Sequence, residues 1–161
     1  MRVAIITLSD SGYAGQREDR SGPVIRELAE AAGYEIMHTV LLPDGIEPLA
    51  SELKRLCDED MADLVLTTGG TGFSPTDLTP EATLSVVERP APGIAEAMRY
   101  NSLQITPRSM LSRAAAGIRK RTLIVNLPGS PKAVRECLEF ILPSLGHGLE
   151  ILRGTAGECA R

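Results

Sequence analysis

Asp63-Leu64-Val65-Leu66-Thr67-Thr68, followed at once by Gly69-Gly70-Thr71-Gly72, is the stretch on which the fold turns. Leu64-Val65-Leu66 is apolar without alternation, which predicts a strand over Asp63–Thr68 that is covered on both faces. Beyond the loop Gly69–Leu78, Thr79-Pro80-Glu81 predicts a helix start: Thr as cap, Pro in the first turn, Glu at the positive end of the dipole. Strand, loop and helix thus follow one another within a few residues, and the same cycle repeats on either side.

Upstream, Val3–Leu8 reads as a buried strand and Ser9–Ser21 as a polar loop. Gly22-Pro23 opens a helix to about Ala32, ended by Gly33. Tyr34–Leu42 is a second strand, stopped by the turn Pro43-Asp44-Gly45. Glu47–Asp60 places Leu49, Leu53, Leu56 and Cys57 at helical spacing. Downstream, Pro92-Gly93 begins a helix reaching Gln104, and Thr122–Leu127 is a fourth strand. Ser130-Pro131-Lys132 caps a last helix over Pro131–Leu142, with Pro143 marking a bend. Strands separated by helices predict a three-layer α/β/α sandwich around a mainly parallel sheet, in one domain over residues 1–161.

Composition excludes several classes. The chain carries a net charge of −4, and its one basic cluster, Arg119-Lys120-Arg121, precedes an apolar run and reads as a solvated turn. A nucleic-acid surface needs clustered Lys and Arg, so no nucleic-acid partner is expected. Cys57, Cys137 and Cys159 form no C-x-x-C pair, and His38 and His147 are the only histidines, a poor inventory for zinc. Reduced thiols and a cytoplasmic location are the simpler expectation. The opening apolar run, Val3–Leu8, is too short for a signal peptide, and nothing reaches the roughly 18 apolar residues of a membrane span. Only Phe73, Phe140, Tyr13, Tyr34 and Tyr100 are aromatic, so the core is expected to be aliphatic.

In a mainly parallel sheet, ligands sit beyond the carboxyl ends of the strands. That rule selects Ser9–Asp19, Gly69–Asp77 and Pro128–Lys132. The glycines after Thr68 let the backbone approach a ligand and aim N–H groups at it, or they make only a tight turn. The loop is no Walker loop, since no Gly-Lys-Ser/Thr follows, and Pro75 stands where a dinucleotide fingerprint has a third Gly. Asp77 either caps the next helix or holds a divalent metal, and Asp44 is either a turn residue or a second metal ligand. Both follow predicted strands at one sheet edge, an arrangement that suits Mg²⁺ shared with substrate phosphate. Pro128-Gly129-Ser130-Pro131-Lys132 offers free N–H groups and a lysine to an anion, or is a plain cap.

Gly69-Gly70-Thr71-Gly72, Asp77-Leu78-Thr79-Pro80-Glu81 and Asn126-Leu127-Pro128-Gly129-Ser130-Pro131-Lys132 together resemble the MogA/MoaB family of molybdenum-cofactor enzymes. Ser9-Asp10, Gly15, Asp19-Arg20-Ser21-Gly22-Pro23 and Leu41-Leu42-Pro43-Asp44 resemble the family's remaining motifs, so the likeness runs from Val3 to about Leu152. The resemblance implies an α/β/α homotrimer that adenylylates molybdopterin with ATP and Mg²⁺, releasing pyrophosphate, before a MoeA-like partner inserts molybdate. It further implies that Asp44 and Asp77 are the catalytic, metal-binding aspartates. Ser9, Asp10, Asp19, Gly69, Gly70, Thr71, Gly72, Thr79, Pro128, Gly129, Ser130 and Lys132 are the implied substrate contacts. Many relatives carry Arg before the second aspartate, where this chain has Thr76, so either phosphate binding is weaker here or another arginine reaches the site. A weakly active MoaB-like pterin binder, a CinA-like nucleotide pyrophosphatase and a scaffold role are the alternatives.

Overall fold

A computed structural model of the chain describes residues 1–156. Six strands form one sheet in the order β2-β1-β3-β6-β5-β4. The strands are β1 (Arg2–Leu8), β2 (Glu35–Leu42), β3 (Leu64–Thr68), β4 (Arg89–Pro90), β5 (Ala116–Arg119) and β6 (Thr122–Leu127). Strands β1, β2, β3 and β6 run parallel, while β5 lies antiparallel to β6 and β4 antiparallel to β5. The mainly parallel sandwich expected from the sequence is therefore present, with an antiparallel hairpin added at one edge.

Alternation along β1 shows how the layers form. Val3 and Ile5 face a core shared with α2 (Ser21–Ala31), α5 (Pro92–Leu103) and α6 (Pro131–Arg153). Ala4, Ile6 and Leu8 face a second core packed by α3 (Ile46–Asp58) and α4 (Thr79–Val86). Both cores are aliphatic apart from their cysteines and Met98. Residues of period 2 on β1 meeting residues of period 3.6 on the helices is what the covered strand at Leu64-Val65-Leu66 foretold.

Four features depart from the sequence reading. A one-turn helix, α1 (Asp10–Tyr13), interrupts the first loop and is capped by Ser9, whose Oγ accepts the Gly12 amide at 3.1 Å. Strands β4 and β5 were not expected. Ala116-Gly117 is poor strand sequence, and Pro90 is tolerated only because β4 is an edge. Helix α6 does not stop at Leu142 but runs through Pro143 to Arg153. Pro143 removes one amide bond, yet Leu145 and Leu149 keep the apolar face buried and Gly154, at φ 73°, ends the helix. Finally, Thr79 is the first residue of α4 rather than its cap; Leu78 holds the cap position without a side-chain bond.

Arg119-Lys120-Arg121 is indeed a turn, the tip of the β5–β6 hairpin, and Arg119 is occupied by Asp58. Cys57 and Cys137 are free and buried, and burial pushes the Cys57 thiol up to about 11. Cys159 lies outside the described residues. Among the described residues no helix is long and apolar enough to cross a membrane.

Candidate active site

The chain leaves β1 toward β2 on one side and returns to β3 on the other, so the connections part at the carboxyl ends of β1 and β3. Such a switch point opens a crevice. Gly69 sits there at φ 96°, and a Cβ on it would collide with the Leu8 carbonyl, so the close approach of the two strand ends requires glycine. Gly70, at φ 65°, leaves room for the Thr79 hydroxyl, which donates to the Gly69 carbonyl at 2.9 Å.

Around Gly69 lies a cavity of about 640 Å³. Ser9, Asp19, Gly69, Gly129 and Ser130 line it, as do Arg17, Arg20 and Ser21, which motif reading did not single out as contacts. Its walls are tied together by side chains. Asp19 accepts the Thr7 hydroxyl at 2.7 Å and the amides of Ser21 and Gly22 at 2.9 and 3.0 Å, so it caps α2 from one residue further upstream than a usual cap. The Ser21 hydroxyl donates to the Gly129 carbonyl at 2.7 Å, and Thr68 Oγ1 donates to the Pro128 carbonyl at 2.7 Å. Ser130 caps α6 by accepting the Ala133 amide. Arg17 and Arg20 line this cavity together with Glu18 and Asp19, and Arg20 Nε lies 3.8 Å from Glu18, so the side-chain charges balance and the positive end of α6 is what favours an anion.

Asp44 and Asp77 stand next to this cavity rather than in its wall. Asp44 Oδ2 accepts the Asp10 amide at 3.0 Å, and Asp10 Oδ1 accepts the Asp44 amide at 2.9 Å, so the two turns after β1 and β2 are latched to each other. Asp44 Oδ1 lies 3.6 Å from where a Gly70 Cβ would stand, and Asp77 Oδ2 lies 2.8 Å from the corresponding point on Gly72. The two carboxylates thus flank one three-residue turn. Burial pushes the Asp44 carboxyl above the usual carboxylate range; the Asp10 amide opposes this, and the charges of Asp10 and Asp77 add to it. Asp77 does not cap α4. Its Oδ2 accepts the Ser74 amide at 2.9 Å, while its own amide donates to the Ser74 carbonyl at 2.9 Å.

The remaining expected contacts fall into two groups. Thr71 is buried, and its carbonyl accepts the Arg113 amide at 2.9 Å; the Gly72 carbonyl accepts Arg113 Nε at 2.8 Å. Lys132, by contrast, is 82% exposed in its side chain and lies 3.9 Å from Glu136, away from the cavity wall. Thr76 is exposed, and Arg113 is the arginine that reaches the loop instead. Sequence offered no pointer to it, because 36 residues separate it from Asp77. The histidines and described cysteines lie outside these loops; His38, on β2, has Nε2 2.8 Å from Glu52 Oε1. Among the described residues no group of three or more His, Cys, Asp or Glu is placed to hold a metal unaided. Any Mg²⁺ bound by Asp44 and Asp77 therefore takes further oxygens from substrate or water, which is how that ion is usually held.

A doubly wound sheet with its loops gathered at this edge places the chain among α/β proteins that bind ligands where neighbouring connections part. Residues 4–147 match the family model described as "Probable molybdopterin binding domain", and the chain belongs to that family. A molybdopterin adenylyltransferase of Helicobacter pylori strain J99 is 39% identical over 156 residues, covering 96% of this chain and 89% of the relative. The crystal structure of MoaB, a molybdopterin biosynthesis enzyme of Thermus thermophilus, superposes with a TM-score of 0.90 at 46% identity, covering 95% and 96% of the two chains. A MogA structure superposes at 0.89 with 38% identity, covering 94% and 99%.

Proposed function

We propose that the chain is a one-domain, cytoplasmic molybdopterin adenylyltransferase, taking ATP and molybdopterin to adenylyl-molybdopterin and pyrophosphate. The observation that carries this reading is the pair Asp44 and Asp77 flanking the Gly70–Gly72 turn beside a cavity that meets the start of α6, in a chain about 40% identical to proteins of that name.

The chemistry needs no side-chain nucleophile. An oxygen of the substrate's own phosphate attacks the α-phosphorus of ATP, a new P–O bond forms, and the bond to the β-phosphate oxygen breaks to release pyrophosphate. The protein's task is to align the two phosphates in line and to hold charge where it grows. The positive end of α6, with Arg17 beside it in the cavity wall, offers phosphate a place. Asp44, raised by burial and by neighbouring charges, fits a divalent cation, since a carboxylate in that setting is relieved by positive charge. Mg²⁺ held there with Asp77 would supply neutralisation of the leaving pyrophosphate. The backbone of Gly69–Gly72 is left to approach the ligand closely.

Asp77→Asn keeps an oxygen to accept the Ser74 amide but removes the charge. It is expected to fold normally and to lower adenylylation at least about 10²-fold, the loss typical of a key electrostatic group. Turnover of purified molybdopterin with MgATP, read as pyrophosphate release, checks this; normal turnover by folded Asp77→Asn would contradict the assignment. The same assay separates an enzyme from a pterin binder without activity. After release, the adenylylated product passes to a molybdate-inserting, MoeA-like partner.

A homotrimer completes the reading. Tyr100, Leu103, Ile105, Met110 and Leu111 are exposed along the end of α5 and around the 3₁₀ turn Pro107–Leu111, and a partner copy would cover them.

A further inference from the structure

We propose that Arg113 is a positioning residue for adenylyl transfer, a clamp that fixes the Asp77 loop from outside; the role in catalysis rests on the function proposed above. The loop Gly70–Leu78 has no cation of its own, since Thr76 precedes Asp77 and no Lys or Arg occurs in it. Arg113 supplies one from the segment before β5. Its amide donates to the Thr71 carbonyl at 2.9 Å and its Nε to the Gly72 carbonyl at 2.8 Å. Nη2 donates to the Asp77 carbonyl, and Nη1 pairs with the Glu81 carboxylate at the start of α4. One guanidinium therefore ties the entry to the loop, its functional aspartate and the helix that follows.

The clamp is itself held. Arg99 Nη1 donates to the carbonyls of Ser112 and Ala114 at 3.3 and 3.0 Å, gripping the chain on both sides of Arg113. The Ala115 amide donates to Asn126 Oδ1 at 3.1 Å, and the Asn126 amide donates to the Ala115 carbonyl at 3.0 Å. Each guanidinium nitrogen of Arg113 bonds an oxygen of the loop or of Glu81, so the role proposed for it is exerted through the loop. A planar fork suits this task and an ammonium does not, because the carbonyls and the carboxylate are met from one rigid plane.

The test uses Arg113→Gln and Arg113→Lys in the full-length protein, with hydrogen exchange of the 70–78 peptide measured beside steady-state kinetics. A loop displaced by an ångström is expected to lower kcat about 10–100-fold while KM for molybdopterin stays within about twofold. Half-saturating Mg²⁺ should rise several-fold, and exchange in the loop should quicken while that of Leu64–Thr68 is unchanged. Arg113→Lys, which keeps the charge and folds if Arg113→Gln does not, should recover only part of kcat. Unchanged kcat in either folded variant overturns the proposal. So does a raised KM for molybdopterin with kcat held, which would make Arg113 a substrate contact, and so does a fall in kcat with loop exchange unaltered. An inactive wild-type protein would sink the proposed function, while exchange of the loop would still decide whether Arg113 clamps it.

Discussion

Asp44 is held in the fold at a cost. Its carboxyl is raised above the ordinary range by burial and by Asp10 and Asp77, so the ionised form is less favoured in the fold than in the unfolded chain. That penalty is present at pH values above the folded pKa and vanishes below the unfolded one. At about pH 7, without divalent metal, Asp44→Asn should therefore raise Tm, and the gain should shrink as the pH falls below the usual carboxylate range. The amide still accepts from Asp10, so the latch survives while adenylylation falls at least about 10²-fold. Thermal melts at neutral and acid pH, paired with turnover, check both halves; a variant no more stable than wild type at neutral pH would remove the electrostatic strain from the account. Under the function proposed above, stability given up at Asp44 would be recovered when a cation binds, an ordinary trade in enzymes. That Asp44 and Asp77 lie at one sheet edge was legible in the sequence, because each follows a strand inside a recognisable motif. Arg113 was not, because its partners are carbonyl oxygens, which leave no mark on residue identity.

At the level of strands and helices, the buried Asn126 joins three elements. Its Nδ2 donates to Thr67 Oγ1 on β3 at 3.0 Å and to Thr83 Oγ1 on α4 at 2.8 Å, while Oδ1 accepts from Ala115. The sequence presented it as a residue of the fourth strand that opens a loop motif; its network depends on β3 lying beside β6, which topology alone reveals. Asn126→Ala would strand two hydroxyls and an amide without partners and is expected to cost about 2–4 kcal/mol. Urea unfolding with an unchanged m-value measures it, and a loss under about 1 kcal/mol would mean that water replaces the side chain. The covered strands and their following helices were readable from periodicity and capping. The β4–β5 edge was not, since Ala116-Gly117 lacks strand character and is held by pairing to β6 and by packing against α4 and α5. The extension of α6 past Pro143 was hidden for the converse reason: a local breaker is overridden by buried Leu145 and Leu149.

For the molecule as a whole, the loops and the exposed apolar run have different work. The sheet edge carries the polar, charged loops of the site, whereas Tyr100, Leu103, Ile105, Met110 and Leu111 belong to α5 and the 3₁₀ turn that follows it. Leaving such side chains in water forgoes roughly 1.5–3 kcal/mol for each one that a partner would bury fully. The proposed trimer, by covering this run on each copy, would account for its not being polar. The segment also leads directly into Ser112 and Arg113, so covering it would steady the clamp on the Asp77 loop. Met110→Asp with Leu111→Asp places two charges in the run without touching either core, as both residues are exposed. Light scattering is expected to give three chains per particle for the wild type and one for the double variant, with the variant's adenylylation lowered several-fold as its 70–78 loop loosens. A monomeric wild type would refute the trimer. A monomeric variant with full turnover would show that assembly and catalysis are separate in this fold.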